Sequence, residues 1–133
     1  MTEHQQPAPP GPRKVNLEAA LASFDEPWSP RIVGRYNGNK IFVAKAKGQF
    51  VWHSHADTDD LFLVLEGRIT IQLRDGDVEL GPGELLVVPR GVEHCPRSDE
   101  GASLLLIEPW GTPNTGDPAT AAAEVEIDCD TPA

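Results

Sequence analysis

Gly48-Gln-Phe-Val-Trp-His53-Ser-His55-Ala-Asp-Thr-Asp-Asp60-Leu-Phe-Leu-Val-Leu-Glu-Gly67 is the stretch that decides both the fold and the chemistry of this 133-residue chain. It sets two histidines on either side of one serine, ahead of a short acidic link and an apolar run. Alternate side chains of a strand share a face, so His53 and His55 point one way and Ser54 the other. The link from Ala56 to Asp59 has the length of a tight hairpin, which returns Asp60 to the histidines. A fourth group comes from Gly83-Glu-Leu-Leu-Val-Val-Pro89-Arg-Gly91-Val-Glu-His94, where Pro89-Arg90-Gly91 supplies the turn before His94. His53, His55, His94 and Asp60 make three imidazoles and a carboxylate, a full donor set for one divalent transition metal. Packing alone is the plainer explanation, but buried histidines without a metal or a partner are costly to desolvate.

The surrounding pattern is β-rich. Strands are expected over Arg31 to Tyr36 and Lys40 to Lys47, flanking the hairpin signal Asn37-Gly38-Asn39. Phe50 to His55, Asp60 to Leu65, Arg68 to Arg74, Val78 to Leu80, Glu84 to Val88, Val92 to Arg97 and Ser103 to Ile107 follow. Asp75-Gly76-Asp77 and Gly81-Pro82-Gly83 supply turns. Many short strands at this spacing indicate an all-β sandwich or closed barrel. Ahead of them, Asn16 can cap a short helix over Leu17 to Phe24, with Leu17, Leu21 and Phe24 on one face. Such a helix needs the barrel or a partner subunit to hold it.

The two stretches resemble the two motifs of the cupin superfamily, and the resemblance spans roughly residues 32 to 110. Gly48, His53, His55 and Gly67 match the first motif, with one residue fewer than usual between Gly48 and His53 and with Asp60 where glutamate is usual. Gly83, Pro89, Gly91 and His94 match the second, with Ser98 where asparagine is usual. The resemblance implies a double-stranded β-helix, or jelly-roll, barrel of the small single-domain group likened to mannose-6-phosphate isomerases. It also implies one metal per chain, among Fe, Mn, Ni, Zn and Cu, and either an isomerase or lyase activity or, with iron, a dioxygenase. Asp60 is one methylene shorter than glutamate. Either it ligates directly, or three histidines hold the metal while Asp60 orients a histidine or a bound water. Asp57 and Asp59 are alternatives that a turn would aim at solvent.

Strand parity nominates a lining. With His53 and His55 facing in, Gln49 and Val51 face in too, and Phe50 and Trp52 face out; Phe62 and Val64 accompany Asp60, and Ser98 accompanies His94. Gln49, Val51, Phe62, Val64 and Ser98 are therefore the expected pocket residues, with ordinary core packing the plainer reading for the apolar ones. Leu61, Leu63 and Leu65 then face outward and need cover from a second sheet, the helix or a dimer partner. No residue is singled out as a catalytic acid or base.

A formal net charge of −10 argues against a nucleic-acid surface. Much of the acid lies at Asp117, Glu124, Glu126, Asp128 and Asp130, with no Lys or Arg after Arg97. No apolar run has membrane-spanning length, and the first residues lack a signal-peptide pattern, so a cytoplasmic location is expected by default. Cys95 and Cys129 are not expected to pair in a reducing compartment. The organisation expected is a Pro- and Gln-rich disordered tail over 1–13, a barrel domain with its helix over 14–110, and an acidic irregular tail over 111–133. The function expected is that of a metal-dependent enzyme, with a small-molecule substrate and a homodimer. The alternative is a non-catalytic module that binds a small ligand or senses a metal.

Overall fold

The computed structural model describes residues 12–127. One short helix, α1 (Leu17–Ala22), precedes eight strands: β1 (Arg31–Tyr36), β2 (Asn39–Gln49), β3 (Asp60–Gly67), β4 (Ile69–Leu73), β5 (Gly76–Leu80), β6 (Leu85–Val88), β7 (His94–Pro109) and β8 (Val125–Glu126). Asn16 caps α1 as its side chain predicts, its Oδ1 accepting from the Ala19 amide at 2.9 Å. The helix stops two residues short of Phe24, yet Ala20 and Phe24 still bury against Val33 and Val43 of β1 and β2, with Leu65 at the margin.

The jelly roll is organised by β7. This 16-residue strand pairs with β2 along nearly its whole length. On its other side it pairs first with β4, over His94 to Arg97, and then with β3, over Ala102 to Ile107. Gly101, at φ +106°, sits where the partner changes, in a conformation that glycine tolerates. The order is β5-β4-β7-β2-β1-β8, with β3 joined to β7 and β6 joined to β3. Side chains at alternate positions of these strands meet inside. Phe42, Ala44, Phe62, Val64, Ile69, Ile71, Leu104 and Leu106 form one apolar cluster. Burying that set supplies most of the driving force, at about 25 cal/mol per Å² of apolar surface removed from water.

Val92 to Arg97 and Ser103 to Ile107, expected as two strands, run together in β7, and two further segments differ from the sequence-based expectations. Phe50 to His55 is not a strand; only His53 forms an isolated antiparallel bridge, to His94. Gln49 lies opposite Arg97 and His53 opposite His94, so four steps on one side face three on the other. The extra residue makes a bulge, which reverses the side-chain alternation that parity assumed. The second segment is the part of the acidic tail within the described residues. It is irregular apart from β8, which pairs in parallel with β1, through Arg31 and Ile32. Residues 1–11 and Cys129 lie outside the described residues. Among the described residues, no helix is long and apolar enough to cross a membrane.

Candidate metal centre

The bridge between His53 and His94 builds the site. Each backbone amide donates to the other's carbonyl, at 3.0 and 2.9 Å, so the two residues face each other directly and their rings lie 4.3 Å apart. His55 is pinned by the Gly91 amide, which donates to its carbonyl at 2.8 Å. Asp60 begins β3, where its pairing with Val88 holds it against the histidines. One donor atom from each of His53, His55, Asp60 and His94 lies within 4.8 Å of all the others. The four residues predicted as metal ligands are thus brought together.

Hydrogen bonding decides which nitrogens are free. His53 Nδ1 donates to the Val51 carbonyl at 2.9 Å, and His94 Nδ1 donates to the Val92 carbonyl at 2.9 Å. Both bonds place the proton on Nδ1 and leave Nε2 with its lone pair, the arrangement a metal-ligating imidazole uses. His94 Nε2 then stands 3.1 Å from Asp60 Oδ2. The lone pair of a neutral imidazole facing a carboxylate at that distance requires a cation or a proton to be shared between them. His55 Nε2 lies 3.3 Å from the same oxygen without hydrogen-bond alignment, and Asp60 Oδ1 is buried without a partner. Buried donor and acceptor atoms left open in this way are those that a bound ion would satisfy, so the residues fit a metal.

The electrostatics agree. Burial pushes His53 down to about 4, so the imidazole stays neutral and available at ordinary pH. For Asp60 burial acts to raise the pKa, but the imidazoles of His55 and His94 beside it outweigh burial and hold it at about 2. Cys95, adjoining His94, is fully buried on the opposite side of the strand, and burial raises its thiol. It therefore lacks the thiolate character of a reactive cysteine.

Beside the donors lies a cavity of about 50 Å³, whose walls include Trp28, Phe42, Phe50, His53, Asp60, Phe62, Leu104, Glu108 and Asn114. Of the expected lining, only Phe62 takes part. Gln49 and Val51 lie exposed at the surface, Val51 at 47%, because the bulge turns Phe50 inward in their place. Phe50 stacks on Trp28 at 4.9 Å and meets the His53 ring edge at 5.5 Å. Val64 is core, and Ser98 is occupied in structure: its Oγ donates to the Arg68 carbonyl at 2.7 Å and accepts from the Gly101 amide at 3.0 Å. Trp28, Glu108 and Asn114 carry no motif. Glu108 had a legible signal, since Ala102, Leu104 and Leu106 share its parity and are buried, so the strand delivers the carboxyl to the same interior. Burial, and then the negative charge of Asp60, pushes Glu108 up to about 9.

The family model for the cupin domain (Cupin_2) matches residues 40–108, which is more than half of the chain. The chain is a member of the cupin family. A cupin-2 domain protein from Shewanella frigidimarina is similar in structure, with 41% identity and a TM-score of 0.71, over 71% of this chain and 93% of that one. The Neisseria meningitidis protein NMB1881 is similar at 37% identity and a TM-score of 0.67, over 72% of this chain and 98% of that one. The Bacillus subtilis protein YdbB is 32% identical over 84 residues, which cover 62% of this cupin and 74% of YdbB.

Proposed function

We propose that this cupin holds one divalent transition metal per chain through His53, His55, His94 and Asp60, and acts as an enzyme on a small oxygen-bearing molecule. The observation that carries this reading is the convergence of imidazole lone pairs on a buried, partly unpartnered carboxylate, next to a cavity with mainly apolar walls. Bound there, a metal of this class would supply Lewis-acid polarisation of a carbonyl or hydroxyl, or dioxygen activation if it is iron. The chain's own part is positional. The carbonyls of Val51 and Val92 fix two imidazoles, and Asp60 offsets cationic charge. Trp28, Phe50 and Phe62 keep the cavity apolar.

Two hydroquinone 1,2-dioxygenases share the fold at 19% and 16% identity; one of them, from Sphingomonas sp. TTNP3, holds 4-hydroxybenzoate. That likeness supports the architecture and leaves isomerase, lyase and dioxygenase chemistry as classes to be screened. Turnover of a metabolite panel by protein loaded separately with Fe(II), Mn(II), Ni(II), Zn(II) and Cu(II) tests the reading. Ligand-dependent stabilisation without turnover under any metal would contradict it and support a sensor instead. We also propose a homodimer. Leu85 and Val87 of the edge strand β6 are 57% and 44% exposed, opposite Leu63 and Leu61 of β3, and this outer face is the one left apolar by parity.

A further inference from the structure

Glu108 is a cavity residue outside the donor set whose carboxyl is only partly satisfied by its neighbours. It is 2% exposed at the end of β7. Its Oε2 lies 3.8 Å from His55 Nε2, beside the donor set but not one of the four residues whose donor atoms cluster together. Its Oε1 has no hydrogen-bond partner. The nearest cation does not provide one. Lys40 Nζ is 3.7 Å from Oε1, while its own hydrogen bonds go to the Thr112 carbonyl at 2.9 Å and to Glu124. Asn114, the other polar residue on the wall outside the donor set, is used up by the chain fold. Its amide donates to the Ala122 carbonyl and to Glu124, and its oxygen accepts from the Ala122 amide. A carboxyl buried in this way is costly unless something hydrogen-bonds to it, and the remaining space is the cavity itself.

Resting on the metal reading above, we propose that Glu108 binds the exogenous ligand of the metal, through a hydrogen bond between its carboxyl and a hydroxyl group on that ligand. Charge does not narrow the class, because a divalent metal held by three imidazoles and the Asp60 carboxylate keeps a net positive charge. Size does. The volume of about 50 Å³ admits only a few non-hydrogen atoms beyond the metal position. The ligand is therefore a small hydroxyl-bearing molecule with a second oxygen for the metal, such as an α-hydroxyketone.

The test uses the full chain loaded with Co(II), whose visible spectrum reports changes at the metal. Hydroxyacetone is titrated as the probe, with acetone, which lacks the hydroxyl, as the comparison. Wild type is expected to bind hydroxyacetone more tightly than acetone. Glu108→Met, which keeps volume but removes both hydrogen-bonding oxygens, is expected to weaken hydroxyacetone binding by about 10-fold or more, with Co(II) affinity unchanged. Glu108→Gln, which can still donate and accept, should recover most of the loss. Lys40 keeps its hydrogen bonds to Glu124 and the Thr112 carbonyl when Glu108 is replaced by Met, so folding should not be impaired, and Glu108→Leu serves as a second apolar variant. The proposal is overturned if hydroxyacetone fails to bind cobalt-loaded wild type, if acetone binds as well, if both apolar variants bind hydroxyacetone like wild type, or if they lose Co(II) in step with the probe. Failure of wild type to take up cobalt is a separate result, which overturns the metal reading and this one with it.

Discussion

Gly116 offers a quantitative test of how the C-terminal segment seats on the metal centre. It has φ +77°, and a Cβ placed on it would lie 2.0 Å from the Ser54 carbonyl oxygen and 3.9 Å from His55 Nδ1. An alanine here pays twice. The left-handed backbone conformation costs roughly 1–2 kcal/mol for a residue with a Cβ. The clash with a backbone oxygen then forces the segment outward by about 1 Å, which at overpacked positions costs typically about 1–3 kcal/mol more. Gly83 has nearly the same φ, +81°, with nothing within 4 Å of its virtual Cβ, so Gly83→Ala carries the conformational cost alone. The difference between the two variants isolates the contact, at roughly 2 kcal/mol. At about 3–4 °C per kcal/mol for a chain of this size, Gly116→Ala should melt roughly 7 °C below Gly83→Ala. Thermal unfolding followed by far-UV circular dichroism, both variants in one buffer with chelator present, measures it. Equal melting temperatures would refute the seating of the segment against Ser54 and His55.

Other expectations follow from the site. In metal-free protein His53 is neutral down to about pH 4, against an ordinary value of 6.5, so its contribution to stability is complete above 6.5 and is lost as pH falls toward 4. Glu108 acts in the opposite sense. Its native value of about 9 against 4.5 means its contribution is complete below pH 4.5 and is lost as pH rises toward 9. The melting temperature of the apoprotein should therefore decline on the alkaline side, and Glu108→Gln should flatten that decline; a slope unchanged in the variant would contradict it. Saturating metal at about 100 times its Kd should stabilise the fold by about 2.7 kcal/mol, near 9 °C, reversibly with chelator and not in Asp60→Ala to the same extent. Analytical ultracentrifugation should show a dimer that Leu85→Glu converts to monomer, and a monomeric wild type would exclude the homodimer.

The histidines were legible because the chemistry is carried by residue type and local spacing: a His-x-His before an acidic turn has few other uses. The strand β1 and the cap at Asn16 were legible for the same local reason, a period or a side chain acting within a few residues. The lining was not. The bulge between Gln49 and His53 is set by register against β7, which no local pattern of the first motif records, and it exchanged Gln49 and Val51 for Phe50. The return of residues 111–127 was hidden because acidic composition reads as solvation. In the fold, Glu124 meets Lys40, a lysine only 2% exposed that must have a carboxylate partner. Parity could not place Trp28, because its contact with Phe50 depends on the chain entering β1 from that side.

Both the proposed chemistry and the role of Glu108 require that His53, His55, His94 and Asp60 bind a metal. The most direct measurement is elemental analysis of protein purified without chelator or nickel affinity, alongside His94→Ala. Wild type should carry about one equivalent of a first-row transition metal, lost in the variant. Metal-free wild type that also takes up none of Fe(II), Mn(II), Ni(II), Cu(II) or Zn(II) would contradict it.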